Sequence, residues 1–515
     1  MKRKLLSVLL TLCLAFSLLP TAALAEEGEA ARTGDLTYTT ADETISGFTY
    51  TSGTITINAE NVTVENVTFG DGARLEVNTP GRFTLKNCTF NGKTEVRTPV
   101  TLNVGSATVT GNTFNGTKED GTPSYYNAIE FAVSSGNKLS SATLSNNIFE
   151  AAIKNNYFST YYYADNAVIT AENNVIKLAN RGSNAIRISN VTNSNVTFNL
   201  NNNSYEFSDA SGSSEYEGFI ILQDFTKKSG NTEDFSKVTI NISNLTSPSD
   251  ASRLFYVWED SVGLVSDNNP VIKGDRSVEK FFVAKVGGTY YKTLADAVAA
   301  AQDGDTITLL KDCSSERVNL ESKSITIDLN GNTLTSTSAY GVMFCAKNGH
   351  KITVNGTKEG SKLVGTLMVT NGTDGHIEIN GGTYESSQYC PIYINGSVST
   401  DNSTLTVKNA TITASNSGSN QDTGCGVYLA GYSTSAFENT TVTAPSTGIE
   451  IRAGRLTLTN CNVTGGSGKV TADANGNGTT VKNAALAISQ HTTKKPIDVT
   501  INGGTFTGTA PIYQT

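Results

Sequence analysis

From about residue 35 onward, apolar and polar positions alternate in short bursts separated by Gly- and Asn-rich turns, the pattern of half-buried strands. Four bursts share one form: VTVENVTF, FTLKNCTF, ATVTGNTF and ATLSNNIF. In each, an apolar residue (Val64, Leu85, Val109, Leu144) is followed by a phenylalanine (Phe69, Phe90, Phe114, Phe149), and AVITAENNVI around Ile169 is a looser copy. Recurrence at roughly 20 to 35 residues is the period of a stacked solenoid, whose repeats bury their apolar faces only against one another. The longer step before Leu144 marks an insertion.

The later chain keeps a similar beat. Strands ending in asparagine recur at Asn330, Asn355, Asn380, Asn409, Asn439, Asn460, Asn483 and Asn502, and an amide at the same corner of every coil would stack as a hydrogen-bonded ladder. A second strand in each coil runs through GVMF, TLMV, PIYI, GVYL, GIEI, ALAI and PIY. Alternation points Met343, Met368, Tyr393, Tyr428, Glu450, Ala487 and Tyr513 outward, and sets Tyr393 beside Tyr428 with Glu450 and Arg452 next along. Between the halves lies AKVGGTYYKTLADAVAAAQDGDTITLLKD. There Thr293 caps a short helix with Asp296 in its first turn, and Leu294, Ala297, Val298 and Ala301 form one apolar face, fit to cover the open end of a stack. The expected fold is all-β, two tandem right-handed parallel β-helices, the second with a short N-terminal capping α-helix. The expected division is 1–25 signal peptide, 26–34 linker, 35–275 first β-helix and 276–515 second β-helix, with the helix near 293–302.

Lys2, Arg3 and Lys4 precede the apolar run Leu5–Leu19, and Ala23-Leu24-Ala25 offers small residues for cleavage, so the start of the chain reads as a secretory signal. No later run is apolar enough for a membrane span, so no transmembrane segment is expected in the mature chain. The chain stops within a coil, since its last residues repeat HIEINGGTYESSQYCPIYING, and either a longer gene product or a cover for that end is expected. The net charge of −9 and the lack of a Lys/Arg cluster argue against nucleic acid as a partner. Cys88, Cys313, Cys345, Cys390, Cys425 and Cys461 follow the signal at wide spacings without C-x-x-C, which suits buried core thiols and leaves disulfide pairing open. No metal site and no cofactor are expected. Asp473–Gly478 matches the opening of a calcium loop, but its twelfth position is Ala484, so the bidentate ligand is missing.

Tyrosines are the candidate ligand-binding residues. Tyr161, Tyr162 and Tyr163 lie in the coil after the insertion, and Tyr393, Tyr428 and Tyr513 lie on the outer row; such rings either stack on sugars or pack loops onto the coil wall.

The coils, the asparagine corners and YKTLADAVAAAQDGDTITLLKD together resemble the right-handed parallel β-helix, or pectin-lyase-like, superfamily, and in particular repeat-rich secreted surface proteins of Gram-positive bacteria. The resemblance covers roughly residues 35–515 and implies a three-sheet coil capped by a helix; activity does not follow from it. The family's polygalacturonase motifs of paired aspartates, G-H-G and R-I-K are not matched, the nearest histidine context being Asn348-Gly349-His350-Lys351. Pectate-lyase-like chemistry would have to draw on Glu130 with Arg187, or Glu450 with Arg452. The expected function is therefore an adhesin-like binding protein, secreted or held at the extracellular surface of a Gram-positive-type bacterium, with a polysaccharide or glycoprotein ligand and association with the cell wall. The alternatives are a polysaccharide lyase or hydrolase of this fold, and a passive surface stalk.

Overall fold

The computed structural model describes residues 31–132, 137–153, 156–189, 191, 194–209, 217–223, 235–258, 270–370, 374–395, 402–415, 424–475 and 478–515. Almost every element is a strand, and successive strands of one row pair in parallel, as in β-helical solenoids. The described residues divide into two compact units: those within 31–164, 172–189 and 205–209 form the first, and those within 165–171, 191–204 and 217–515 the second. Among the described residues, no helix is long and apolar enough to cross a membrane.

In the first unit the phenylalanine positions form one column. Thr68–Phe69, Thr89–Phe90, Thr113–Phe114 and Ile148–Phe149 are register partners coil after coil. Their rings stack at centroid distances of 4.5, 4.6 and 4.7 Å, with Tyr50 edge-on to Phe69 at 6.0 Å. All five are 0% exposed, and full burial of each ring stabilises the stack by roughly 1.5–3 kcal/mol.

The corner before this column explains the paired residues of the repeat. Asn66, Asn87, Gly111, Asn146 and Asn173 take positive φ, between 54° and 67°, which Asn and Gly tolerate best. The next residue turns inward: Val67, Cys88, Asn112, Asn147 and Asn174 are all buried. Three of these are amides that stack. Asn112 Nδ2 donates to Asn147 Oδ1 at 3.0 Å, Asn147 Nδ2 donates to Asn174 Oδ1 at 3.0 Å, and each Oδ1 also accepts from the preceding coil's backbone N–H. Cys88 stands where the run of amides stops, its thiol donating to the Val64 carbonyl at 3.6 Å.

The single asparagine ladder expected in the later coils is not formed. Asn330, Asn409, Asn439, Asn460 and Asn483 are themselves the left-handed corner residues. Asn380 pairs with Lys408 and Asn502 with Thr459, one residue before the corner, and Gly381 and Gly503 take the positive φ instead. Amide-to-amide bonds among the described residues there reduce to Asn380 to Asn355, 3.1 Å, and Asn439 to Asn409, 3.3 Å. Asparagine recurs at these corners mainly for its backbone tolerance, which does not require the side chains to meet.

The helix Leu294–Ala300 forms where the sequence places it. Leu294, Ala297 and Ala301 are buried in the same core as Ile307, Leu309, Ile325 and Ile327. Thr293 Oγ1 accepts from the Asp296 N–H at 3.1 Å and donates to the Asp296 carboxylate at 2.7 Å. With no basic residue in the last turn, Lys323 from the coil beneath donates to the carbonyls of Val298, Ala299 and Ala301. Ala284–Val286 pairs antiparallel with both Thr289–Tyr291 and Thr306–Leu309, so the parallel stack is interrupted just where the helix seats. Thr293→Ala is expected to cost about 1 kcal/mol by loss of the cap, seen as faster hydrogen exchange over 293–301 with little change elsewhere.

Candidate functional site

The outer row of the eight-stranded sheet runs Asn319, Cys345, Met368, Tyr393, Tyr428, Glu450, Ala487 and Tyr513. It differs from the sequence expectation at its start. A register irregularity between Val342 and Phe344 turns Met343 into the core, where it is 0% exposed, and sets Cys345 on the outer row. Tyr393 and Tyr428 stack at 5.0 Å and 17°, and Tyr389 meets Tyr393 edge-on at 5.4 Å. They are 7% and 2% exposed, part of a small apolar cluster with Cys390, Cys425 and Ala430, against which Met368 packs. Tyr513, at the last strand, is half-buried beside Ala484 and Ala487.

Next along lies a covered polar network. Arg452 Nη2 and Nε reach Glu450 Oε1 at 2.9 and 3.0 Å, with the two side chains 0% and 1% exposed. Ser489 Oγ donates to the same carboxylate oxygen at 3.0 Å, Arg452 Nη2 donates to Thr480 Oγ1 at 3.0 Å, and the guanidinium lies 5.1 Å from the centre of the Tyr428 ring. Thr480 belongs to the antiparallel hairpin Thr471–Asn475 and Gly478–Lys482, which lies over this face and is tied down by Thr447 Oγ1 donating to the Val481 carbonyl at 2.6 Å. Burial pushes the Glu450 carboxyl above the usual range, while Arg452 and Ser489 pull it back. The Asp473–Gly478 segment that opens like a calcium loop is the tip region of this hairpin, and residues 476–477 lie outside those described.

In the first unit, Glu130 pairs with Ser159 and Ser159 with Arg187, so the two charged residues occupy one row two coils apart, about 10 Å at the usual strand spacing. Glu130 accepts from Thr98 Oγ1 at 3.2 Å. Tyr162 has φ 58° and is half-buried, Tyr163 is 0% exposed, and the side chain of Tyr161 lies outside those described.

One concavity that the sequence reading missed is a cleft of about 430 Å³ beside the capping helix. Phe255, Phe282, Tyr290 and Tyr291 supply aromatic wall, and Ser236, Thr289, Lys292 and Asp296 supply polar groups. Tyr290 is held by its hydroxyl donating to the Asp275 carbonyl at 3.1 Å and by Phe282 at 5.3 Å. The Lys292 ammonium lies 5.5 Å from the centre of the Phe255 ring and keeps solvent contact at the rim. Crowding by the cleft walls and then the charge of Arg253 lower its pKa, against the pull of Asp296. The signal available in sequence was the aromatic density of FYVW, EKFF and TYYK around the helix; that these runs converge depends on the fold. Among the described residues, no group of three or more His, Cys, Asp or Glu side chains is placed to hold a metal ion.

The fold defines a parallel β-helical protein. No family model matches the chain and no curated protein matches it. Among solved structures, a mutant of a PL6-family alginate lyase aligns over 95% of this chain and 98% of its own at 9% identity, with a TM-score of 0.18, too low to bear on fold or activity.

Proposed function

We propose that this protein is an exported β-helical binding protein that takes a carbohydrate segment in the cleft beside the helix Leu294–Ala300. One observation carries the reading: a cleft of about 430 Å³ combines four aromatic side chains with hydroxyl, ammonium and carboxylate groups at its wall and rim. Sugars need both halves of that surface, an apolar face for ring carbons and convergent polar groups for hydroxyls. The N-terminal basic residues and apolar run support export, and an extracellular solenoid would meet polysaccharides or glycoproteins at a cell wall or host surface. The outer-row tyrosines then support the coil wall under its covering segments.

Offered plant, mucosal and bacterial polysaccharides, the purified protein is expected to retain at least one and to release no oligosaccharide detectable by chromatography. Lys292→Ala should weaken that retention about tenfold, equivalent to ~1.4 kcal/mol, at an unchanged unfolding midpoint. Retention unaffected by the substitution would remove the cleft as the site. Released oligosaccharide would replace binding with catalysis and direct mutagenesis to Glu130, Arg187, Glu450 and Arg452. No retention of any polysaccharide would leave a supporting stalk as the role.

A further inference from the structure

Two cysteines occupy equivalent positions on successive coils of the eight-stranded sheet. Ile392, Tyr393 and Ile394 pair with Val427, Tyr428 and Leu429, and the same register carried two residues back sets Cys390 beside Cys425. The direction of this position is given by the next coil: Cys425 pairs with Thr447, whose hydroxyl donates outward to the hairpin's Val481 carbonyl. Both cysteines belong to the outer cluster of Tyr393, Tyr428 and Ala430, and they are 0% and 3% exposed. Adjacent strands lie about 4.8 Å apart, within the ~4.4–6.8 Å between Cα atoms that a disulfide spans. The other described cysteines lack such a neighbour. Cys313 pairs with Leu334, Cys345 with Asn319 and Met368, and Cys461 with Gly504, while the residue beyond Cys88 in its row is Asn112.

We propose that Cys390 and Cys425, thiols in this structure, are joined as a disulfide in the exported protein, linking two coils beneath the outer apolar cluster. The bond forms by exchange with a donor disulfide, either oxidised glutathione or the disulfide of a thiol oxidoreductase. One cysteine thiolate attacks a donor sulfur and expels the first donor thiolate. The second cysteine thiolate attacks the mixed disulfide and expels the other. Two protons leave the cysteines, the donor is reduced to two thiols, and no further oxidant is needed. Because both sulfurs are enclosed in the folded coil, exchange takes place while these coils assemble, and the finished bond resists reductants until the cluster opens. The bond would also hold Tyr393 and Tyr428 in one arrangement by tying together the coils that carry them. It stands on register and burial alone, independently of what the cleft binds.

The test compares the full chain refolded in a glutathione redox buffer with the same chain refolded in excess reductant, alongside protein recovered from the medium of a secreting host. Each sample is alkylated in denaturant, digested and analysed by mass spectrometry. The oxidised and secreted samples are expected to yield one linked species joining the Cys390 and Cys425 peptides, two hydrogens lighter than their sum, with neither position alkylated. Added reductant should split it, and the oxidised form should unfold at a higher temperature than the reduced one. In Cys425→Ser, Cys390 should be found alkylated or carrying glutathione. Alkylation of both cysteines in the oxidised and secreted samples, or a link from either to a different cysteine, would overturn the proposal.

Discussion

Glu450→Ala is expected to destabilise the second unit by about 3–5 kcal/mol, because it strands a buried guanidinium. Arg452 is 0% exposed, and its guanidinium pairs with the Glu450 carboxylate at 2.9 Å and donates to the neutral Thr480 hydroxyl at 3.0 Å. Alanine leaves that charge facing Tyr428 and the hairpin, and the least costly relief is for the hairpin to lift and admit water. The expected readouts are a lower unfolding midpoint and proteolytic cleavage near 471–482 under conditions that leave the native protein intact. The paired replacement Glu450→Leu with Arg452→Met should recover much of the loss, since apolar side chains of similar size remove both desolvation costs together. Equal damage from the single and paired changes would show that the two side chains act separately, and a single change costing under ~1 kcal/mol would show that water already reaches them.

Asn147→Ala should be of similar size in the first unit. The Asn147 amide accepts from both the backbone N–H and the Nδ2 of Asn112, and donates to the Val109 carbonyl and to Asn174 Oδ1, all at 3.0–3.1 Å and at 0% exposure. Each buried polar group left without a partner costs roughly 1–3 kcal/mol, and the cavity left by the amide adds to this. A loss of about 3–5 kcal/mol is therefore expected. Hydrogen exchange should rise at Asn112 and along the Phe114 and Phe149 strands. Cys88→Ala, in the same row but outside the amide run, serves as the control. Its thiol makes only weak contacts with the carbonyls of Val64 and Lys86, at 3.6 and 3.4 Å, so its effect should be smaller, and parity between the two variants would mean that the amide stack adds nothing to ordinary packing.

Much of the coil was legible because its signals are local. Phe69, Phe90, Phe114 and Phe149 share a column since each sits at the same offset from an Asn or Gly corner, and a corner of fixed shape delivers the next strand in the same phase. The same regularity set Tyr393, Tyr428 and Glu450 on one row. Met343 escaped it because one irregularity in a strand reverses which side chains face inward. The asparagine ladder was expected in the later coils and is found instead in the first unit, at the residue after the corner, because one amino acid serves two purposes: a left-handed backbone and a stacking amide.

The candidate site was far less legible. Leu222, Phe255, Pro270, Tyr290 and Lys292 line one cleft although they come from segments well apart in sequence, and no period links them. The tyrosine row was visible, but its cover was not: Tyr393 and Tyr428 close on Tyr389 and the two cysteines, and the hairpin at 471–482 lies over Glu450 and Arg452.

The sequence by itself determined the strand rows, their phase in every coil but that of Met343, the capped helix and the absence of a nucleic-acid-binding charge pattern, because each follows from spacing, propensity and composition within a coil or two. Only the tertiary structure decided which outward residues meet solvent, that Glu450 and Arg452 are sealed as a pair, that Cys390 lies beside Cys425, and where a cleft opens. Those outcomes depend on where segments between the coils fold back, and that is set by packing between residues whose separation along the chain carries no repeat.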